Sequence, residues 1–138
     1  MPRASIQIRV PFPDVDSSGR IHFTAMLRYM EVAEHELMRS IGFPYKDTLR
    51  YIALPRVHVS CDYRAAVYYD DILTIEARVE QVSQRSWTLA FTIFRQDEKG
   101  AEAQEIAAEG KMTIVAMDPQ TERARLLPDD MRAALTGA

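Results

Sequence analysis

Cysteine is nearly absent from this chain. Cys61 stands alone, so no internal disulfide can form and cysteine usage gives no support for secretion. Its place in an alternating apolar run reads as core. No CxxC or HxxxH spacing occurs, and His22, His35 and His58 are isolated from one another, so no metal centre is expected. There is no Gly-x-Ser-x-Gly elbow, which argues against a Ser-His-Asp hydrolase, and no glycine-rich phosphate loop. No apolar run approaches membrane-spanning length, and Met1-Pro2-Arg3-Ala4 does not open a signal-peptide core. A soluble, cytoplasmic protein without membrane association is expected. The net charge of −3 implies no strong pull toward nucleic acid. Internal repeats, low-complexity segments and linkers are also lacking, so residues 1–138 read as one domain.

What is present is a strand, a long helix and a series of further strands. Ile6, Ile8, Val10 and Phe12 alternate with more polar neighbours, and Pro11 and Pro13 end the run and suggest a sheet edge. The period then changes. Met26, Met30, Ala33, Leu37 and Ile41 fall at helical spacing over roughly 24–41, with Leu27 and Val32 widening the apolar surface. Arg28, Glu31, His35 and Arg39 form a polar stripe. Gly42 and Pro44 mark the stop. Alternating runs follow around Val57–Ala65, Leu73–Val79 and Trp87–Ile93, then a last run near Gln104–Met117. Turns are expected at Asp70-Asp71 and Gln96–Gly100, a bulge at Gly110, and a short helix over Pro128–Leu135. The short connections predict an antiparallel meander. One helix against one sheet leaves edges open, so a homodimer or homotetramer is expected.

The stretch with chemical content is Asp14-Val15-Asp16-Ser17-Ser18-Gly19-Arg20-Ile21-His22-Phe23, which feeds the helix. A helix N-terminus carries unpaired N–H groups and partial positive charge, useful where a carbonyl oxygen takes up negative charge. A carboxylate beside it, Asp16, can attack an acyl carbonyl or activate water. The plainer reading is that Asp14 and Asp16 cap the turn or helix. The spacing also imitates the start of a calcium loop, but its twelfth position would be Ala25, which offers no carboxylate, and a proline-ended strand precedes it. Calcium binding is not expected.

With Asp14, Asp16, Gly19, Ile21 and His22-Phe23 followed by Arg28-Tyr29-Met30-Glu31, the chain resembles hotdog-fold acyl-CoA thioesterases of the 4-hydroxybenzoyl-CoA thioesterase type. Asp62-Tyr63-Arg64-Ala65-Ala66, Tyr69-Asp70-Asp71-Ile72-Leu73-Thr74 and Ala108-Glu109-Gly110 extend the likeness over nearly the whole chain. The resemblance implies an α+β fold with about five antiparallel strands wrapped around one long helix, and sites between two subunits. It implies Asp16 as the catalytic carboxylate, the backbone N–H of Phe23 as the group polarising the thioester carbonyl, and Glu31 in the acyl pocket. His22 would tune the pocket or orient water, or simply cap or pack. Glu31 would otherwise pair with Arg28 or His35. Gly19 falls in the substrate-binding motif, Arg85 and Ser86 in the region bordering pantetheine and nucleotide, and Arg64 is a further phosphate candidate. The chain departs from the pattern at Arg20, at the order His22-Phe23, at Ala25-Met26, and at Glu34-His35, where relatives often carry Arg.

Together these readings predict hydrolysis of acyl-CoA, or acyl carrier protein thioesters, to the free acid without a cofactor. Asp16 is nucleophile or general base. Two other classes stay open: a non-catalytic acyl-CoA-binding or regulatory module, and a hotdog enoyl-thioester hydratase or dehydratase.

Overall fold

The computed structural model describes residues 1–97 and 100–137. In chain order it contains β1 (Arg3–Arg9), a 3-10 turn (Phe12–Asp14), α1 (Phe23–Ser40), the one-turn α2 (Tyr45–Thr48), β2 (Arg56–Tyr63), β3 (Ile72–Val82), β4 (Ser86–Asp97), β5 (Gly100–Val115) and α3 (Asp129–Thr136). The strands form one antiparallel sheet, and α1 packs into the core between them.

The expected helix is present because its ends are specified. His22 is the N-cap, in extended backbone, and its Nδ1 accepts the Thr24 N–H at 3.3 Å. At the other end Gly42 adopts φ +91°, which lets the Phe43 N–H reach back to the Met38 carbonyl at 2.9 Å. Between the caps Met26, Met30, Ala33 and Leu37 are fully buried, as their spacing predicts. Val32 does not widen the core face. It lies on the flank and is 47% exposed.

Strand order is β1-β3-β4-β5-β2. β3, β4 and β5 form a meander, but β2 does not join it beside β3 as expected. It crosses to the far edge and pairs with β5. Alternation shows that a segment is a strand but carries no information about its neighbour. The crossing segment after β2 is held by local bonds. The Arg64 and Ala65 N–H groups donate to the Ala107 carbonyl at 2.8 and 3.1 Å, and the Ile21 N–H to the Val67 carbonyl at 2.8 Å. β1 is the other edge, as its flanking prolines suggested.

The alternating residues of the two central strands face inward as predicted: Leu73, Ile75, Ala77 and Val79 on β3, Trp87, Leu89, Phe91 and Ile93 on β4. Those of β2 are different. Val59 is 43% and Tyr63 47% exposed, because nothing among the described residues covers that edge. Of the expected turn Gln96–Gly100, Glu98 and Lys99 lie outside the described residues.

Gly110 is not a bulge. It pairs in register with Cys61 on β2 and Phe91 on β4, where neither ladder shifts. Its role is steric: a Cβ there would run into Met30 Cε and lie 2.5 Å from the Ser60 carbonyl oxygen. The absent side chain lets α1 approach the sheet.

Gly110→Ala is expected to lower stability by about 1–3 kcal/mol through overpacking, because a backbone atom as well as a flexible methionine must move. Thermal and urea unfolding check this; an unchanged midpoint would mean that the contact is not close.

Candidate active site

The stretch from Asp14 to Phe23 folds as a tight hairpin leading into α1. Val15 bridges Ile21, the His22 N–H donates to the Asp14 carbonyl at 2.8 Å, and the Asp16 N–H to the Arg20 carbonyl at 2.8 Å. The Gly19 N–H closes the turn onto the Asp16 carbonyl at 3.0 Å. Gly19 sits at φ +80° with open space around its missing Cβ, so backbone conformation rather than close contact requires glycine here.

The two acids of the hairpin are used differently. Asp14 is buried; it accepts the Tyr29 hydroxyl at 2.5 Å on Oδ2 and Arg28 at 2.7 Å on Oδ1. Both donors come from the second turn of α1, so Asp14 ties the hairpin to the helix. Burial alone would raise its pKa, but the Tyr29 and Arg28 hydrogen bonds outweigh burial and hold it below the ordinary value. Burial and the Asp14 charge push the Tyr29 hydroxyl well up.

Asp16 is exposed. Its Oδ1 accepts both the Ser18 hydroxyl at 2.6 Å and the Ser18 N–H at 2.8 Å. These bonds, with smaller contributions from the Arg20 N–H and the His22 charge, lower its pKa. Among the described residues Oδ2 has no partner. The result is an oriented, ionised carboxylate with one free oxygen.

Beside it is the open end of α1. The His22 carbonyl accepts the Ala25 N–H at 3.0 Å, and the His22 ring accepts that of Thr24. No acceptor among the described residues takes the N–H of Phe23. Tyr63 on β2 donates its hydroxyl to the Phe23 carbonyl and so tethers the first helical residue. Burial pushes this hydroxyl up to about 12, so it remains a donor at neutral pH. A cleft of about 320 Å³ runs alongside, floored by Ile21, Met26 and Val67 and rimmed by Arg20, Tyr63 and Arg64.

The remaining predicted residues are distributed more widely. His22 caps the helix, and its Nδ1 also lies 2.7 Å from the Thr24 hydroxyl. Arg64 rims the cleft and pairs with Glu109 at 2.8 Å. Glu31 pairs with neither Arg28 nor His35. It lies 3.7 Å from Arg56, because Arg28 is taken by Asp14. Ser86 begins β4 and Arg85 directly precedes it, whereas the hairpin contacts the segment leading into β3, which pairs with the end of β4. Within one chain they are therefore at the opposite end of the sheet from Asp16.

One cluster was missed by sequence reasoning. Glu34 is fully buried, paired with Arg56 at 2.7 Å and accepting the Tyr45 hydroxyl at 2.5 Å. Burial and the Glu34 charge push the Tyr45 hydroxyl well up. The available signal was position: Glu34 lies four residues after Met30 and three before Leu37, on the inner face.

The profile of the thioesterase-like superfamily matches residues 10–135. A 1,4-dihydroxy-2-naphthoyl-CoA hydrolase of Prochlorococcus marinus is 29% identical over 87% of this chain and 81% of its own length. The 4-hydroxybenzoyl-CoA thioesterase of Pseudomonas sp. is 24% identical over 91% of this chain and 92% of its own. In structure, the chain is similar to a 1,4-dihydroxy-2-naphthoyl-CoA thioesterase from Synechocystis, with a TM-score of 0.87, 20% identity, and 97% and 96% of the two chains covered. That likeness establishes the hotdog fold.

The Asp14 lock makes a pH prediction. Its carboxyl is held below the ordinary value of 3.8, so its stabilisation is complete above the unfolded value and is lost as pH falls through the folded one. Asp14→Asn is expected to lower the melting temperature at pH 7, and the gap to wild type is expected to narrow steadily below about pH 4. A gap that stays constant down to acid pH would contradict the ionic lock.

Proposed function

The chain belongs to the thioesterase-like superfamily, and from that membership we propose that it hydrolyses acyl-CoA thioesters to the free acid and CoA. The observation that carries this reading is the pairing of Asp16, with Oδ1 fixed by Ser18 and Oδ2 free, with the unoccupied N–H at the start of α1. The thioester carbonyl would accept the Phe23 N–H, which with the helix end stabilises negative charge on oxygen. Asp16 Oδ2 would either attack the carbonyl carbon or take a proton from attacking water. In both courses the C–S bond breaks and the CoA sulfur leaves and is protonated; in the first, water then cleaves the acyl–Asp16 anhydride and restores the carboxylate, and in the second the attacking water directly supplies the oxygen of the product acid. Water and a carboxylate suffice, without a cofactor. The related proteins are named for hydroxyaryl-CoA substrates, so these lead the substrate panel.

The proposed active unit is at least a dimer built on β2. This edge strand leaves Val59 and Tyr63 uncovered, and Val32 lies exposed on the flank of α1. An unpaired apolar edge calls for a partner strand, and its own copy is the symmetric choice. Antiparallel self-pairing sets the Tyr63 end of one β2 against the Arg56 end of the other. It would bring Glu31 toward the partner's helix end. It would also place Arg85 and Ser86, which share the Arg56 end of the sheet, on the side of the partner's site.

Release of CoA from a panel of aliphatic and hydroxyaryl acyl-CoAs tests the reaction. Asp16→Asn is expected to lose at least about 100-fold in turnover with an unchanged melting temperature. Because Asp16 is held below 3.8 and acts ionised, kcat/KM is expected to stay flat from neutral pH down to about 5, with its acid limb lower still. Full activity in Asp16→Asn would refute the assignment, and saturable acyl-CoA binding without hydrolysis would point to the binding-module reading.

Val59→Lys places a charge on the uncovered edge. Light scattering after gel filtration is expected to show the mass of one chain where wild type shows two or four, with activity falling in parallel. A wild type that runs as a monomer would rule out the shared site.

A further inference from the structure

The cleft beside the helix end is rimmed by two cations that the mechanism leaves unused, Arg20 and Arg64. Arg20 stands on the return strand of the hairpin, three residues before Phe23, and rims the cleft opposite the Tyr63–Val67 segment. Its backbone is fixed by a bridge to Tyr68, and its guanidinium lies over the Tyr68 ring with Cζ 5.9 Å from the centroid. A guanidinium held over an aromatic face keeps its in-plane N–H groups available for a further acceptor.

The charge of Arg20 is not compensated. Among the described residues it makes no ion pair and no side-chain hydrogen bond. The other cation of the rim, Arg64, is already paired with Glu109. The nearest acid in the hairpin, Asp16, spends Oδ1 on Ser18 instead of on Arg20. Of the two arginines that line the cleft, Arg20 is therefore the one without an ion pair among the described residues.

We propose that Arg20 is a specificity-determining residue that binds an anionic group of the substrate, a carboxylate or a phosphate, while the thioester carbonyl sits at the Phe23 N–H. Three residues of extended backbone put the Arg20 and Phe23 Cα atoms at most about 10 Å apart, so one substrate can reach both. A planar guanidinium with free N–H groups suits both oxyanions. The anion has two sources: a carboxylate at the far end of the acyl chain, or a phosphate of CoA.

This proposal rests on the thioesterase reading for its kinetic test and is independent of it for its binding test. Kinetics compare wild type, Arg20→Gln and the control Arg39→Gln, whose guanidinium pairs with Glu36 in the last turn of α1. Substrates are neutral acyl-CoAs, ω-carboxyacyl-CoAs, and the same acyl groups on N-acetylcysteamine, which lacks phosphate. Loss of a charge-assisted contact is expected to raise KM about tenfold to hundredfold in Arg20→Gln, with kcat little changed. If the anion is the acyl carboxylate, the increase appears only with ω-carboxyacyl substrates and persists on N-acetylcysteamine. If it is a CoA phosphate, the increase appears with every CoA ester and vanishes on N-acetylcysteamine.

The binding test uses free CoA and short dicarboxylates in calorimetry, which needs no turnover. Weaker binding of either ligand to Arg20→Gln, but not to Arg39→Gln, supports the role even in a protein that hydrolyses nothing. Equal KM and equal affinity across all three proteins would overturn it, as would equal losses in Arg20→Gln and Arg39→Gln, which would reduce the effect to net charge.

Discussion

Among the described residues a carboxylate held between a tyrosine hydroxyl and an arginine occurs twice, and the placement of α1 depends on both. Toward the N-terminal end, Asp14 of the hairpin takes Tyr29 and Arg28 from the helix. Farther along, Glu34 of the helix takes Tyr45 from α2 and Arg56 from β2. The distances match, 2.5 Å to each hydroxyl and 2.7 Å to each guanidinium. An apolar helix face can slide or rotate against a sheet at modest cost, because dispersion and burial are not directional. The hydrogen bonds from the two tyrosine hydroxyls are directional, and a buried carboxylate that loses its arginine is left as an expensive unpaired charge. The two locks therefore fix where α1 lies along the sheet and how it is turned. Gly110 adds the third coordinate by setting how closely Met30 approaches β5.

That positioning matters because the candidate chemistry lies at the one end of the helix left unfinished. The Phe23 N–H has no acceptor among the described residues, and Asp16 keeps one oxygen free. Neither feature helps folding. An uncapped donor forgoes stabilisation, and an exposed carboxylate bound only to Ser18 adds little. Their surroundings are over-determined by comparison: Tyr63 holds the Phe23 carbonyl, His22 caps Thr24, and Asp14 fastens the hairpin two residues before Asp16. Rigid support beneath unsatisfied reactive groups is what an acyl-transfer site requires, since its donors must be in place before charge develops on the oxygen.

Much of this architecture was legible in the residues, and the failures have physical causes. The period change at the hairpin marked the helix, and Gly42 marked its end, because caps and periodicity are local properties. The order of strands was not legible. β2 has the alternation of any half-buried strand, and its position at the far edge depends on bonds from Arg64 and Ala65 to Ala107, far along the chain. Glu34 was passed over for a related reason. A charged residue reads as solvent-facing until its partners are known, and Tyr45 and Arg56 come from segments outside the helix. Gly110 read as a bulge because a strand glycine has two common uses, and only Met30 in place decides between them. In the candidate site, Asp16 and the helix end were singled out from the motif. The lock that Asp14 forms with Tyr29 and Arg28 was not, since both acids fit a capping role and only burial separates them.

The buried Glu34 pair is the harder feature to rationalise energetically, and the edge strand supplies the reason for it. A buried ion pair gains little over apolar packing once desolvation is counted. Leucine-like packing at that position would bury the same helix face. It would not hold Arg56, the first residue of β2, where the ladder to β5 shifts register between Arg56 and His58. An edge strand has hydrogen bonds on one side only and is free to fray at its ends. Anchoring Arg56 to the helix interior fixes one end of β2, and the Tyr63 hydroxyl on the Phe23 carbonyl fixes the other. β2 is thus clamped to α1 at both ends while its middle, around Val59, stays uncovered. A strand clamped in this way would pay little further ordering entropy on taking up the second copy proposed above. The same clamps that keep the edge straight then transmit its position to the helix end where Asp16 stands.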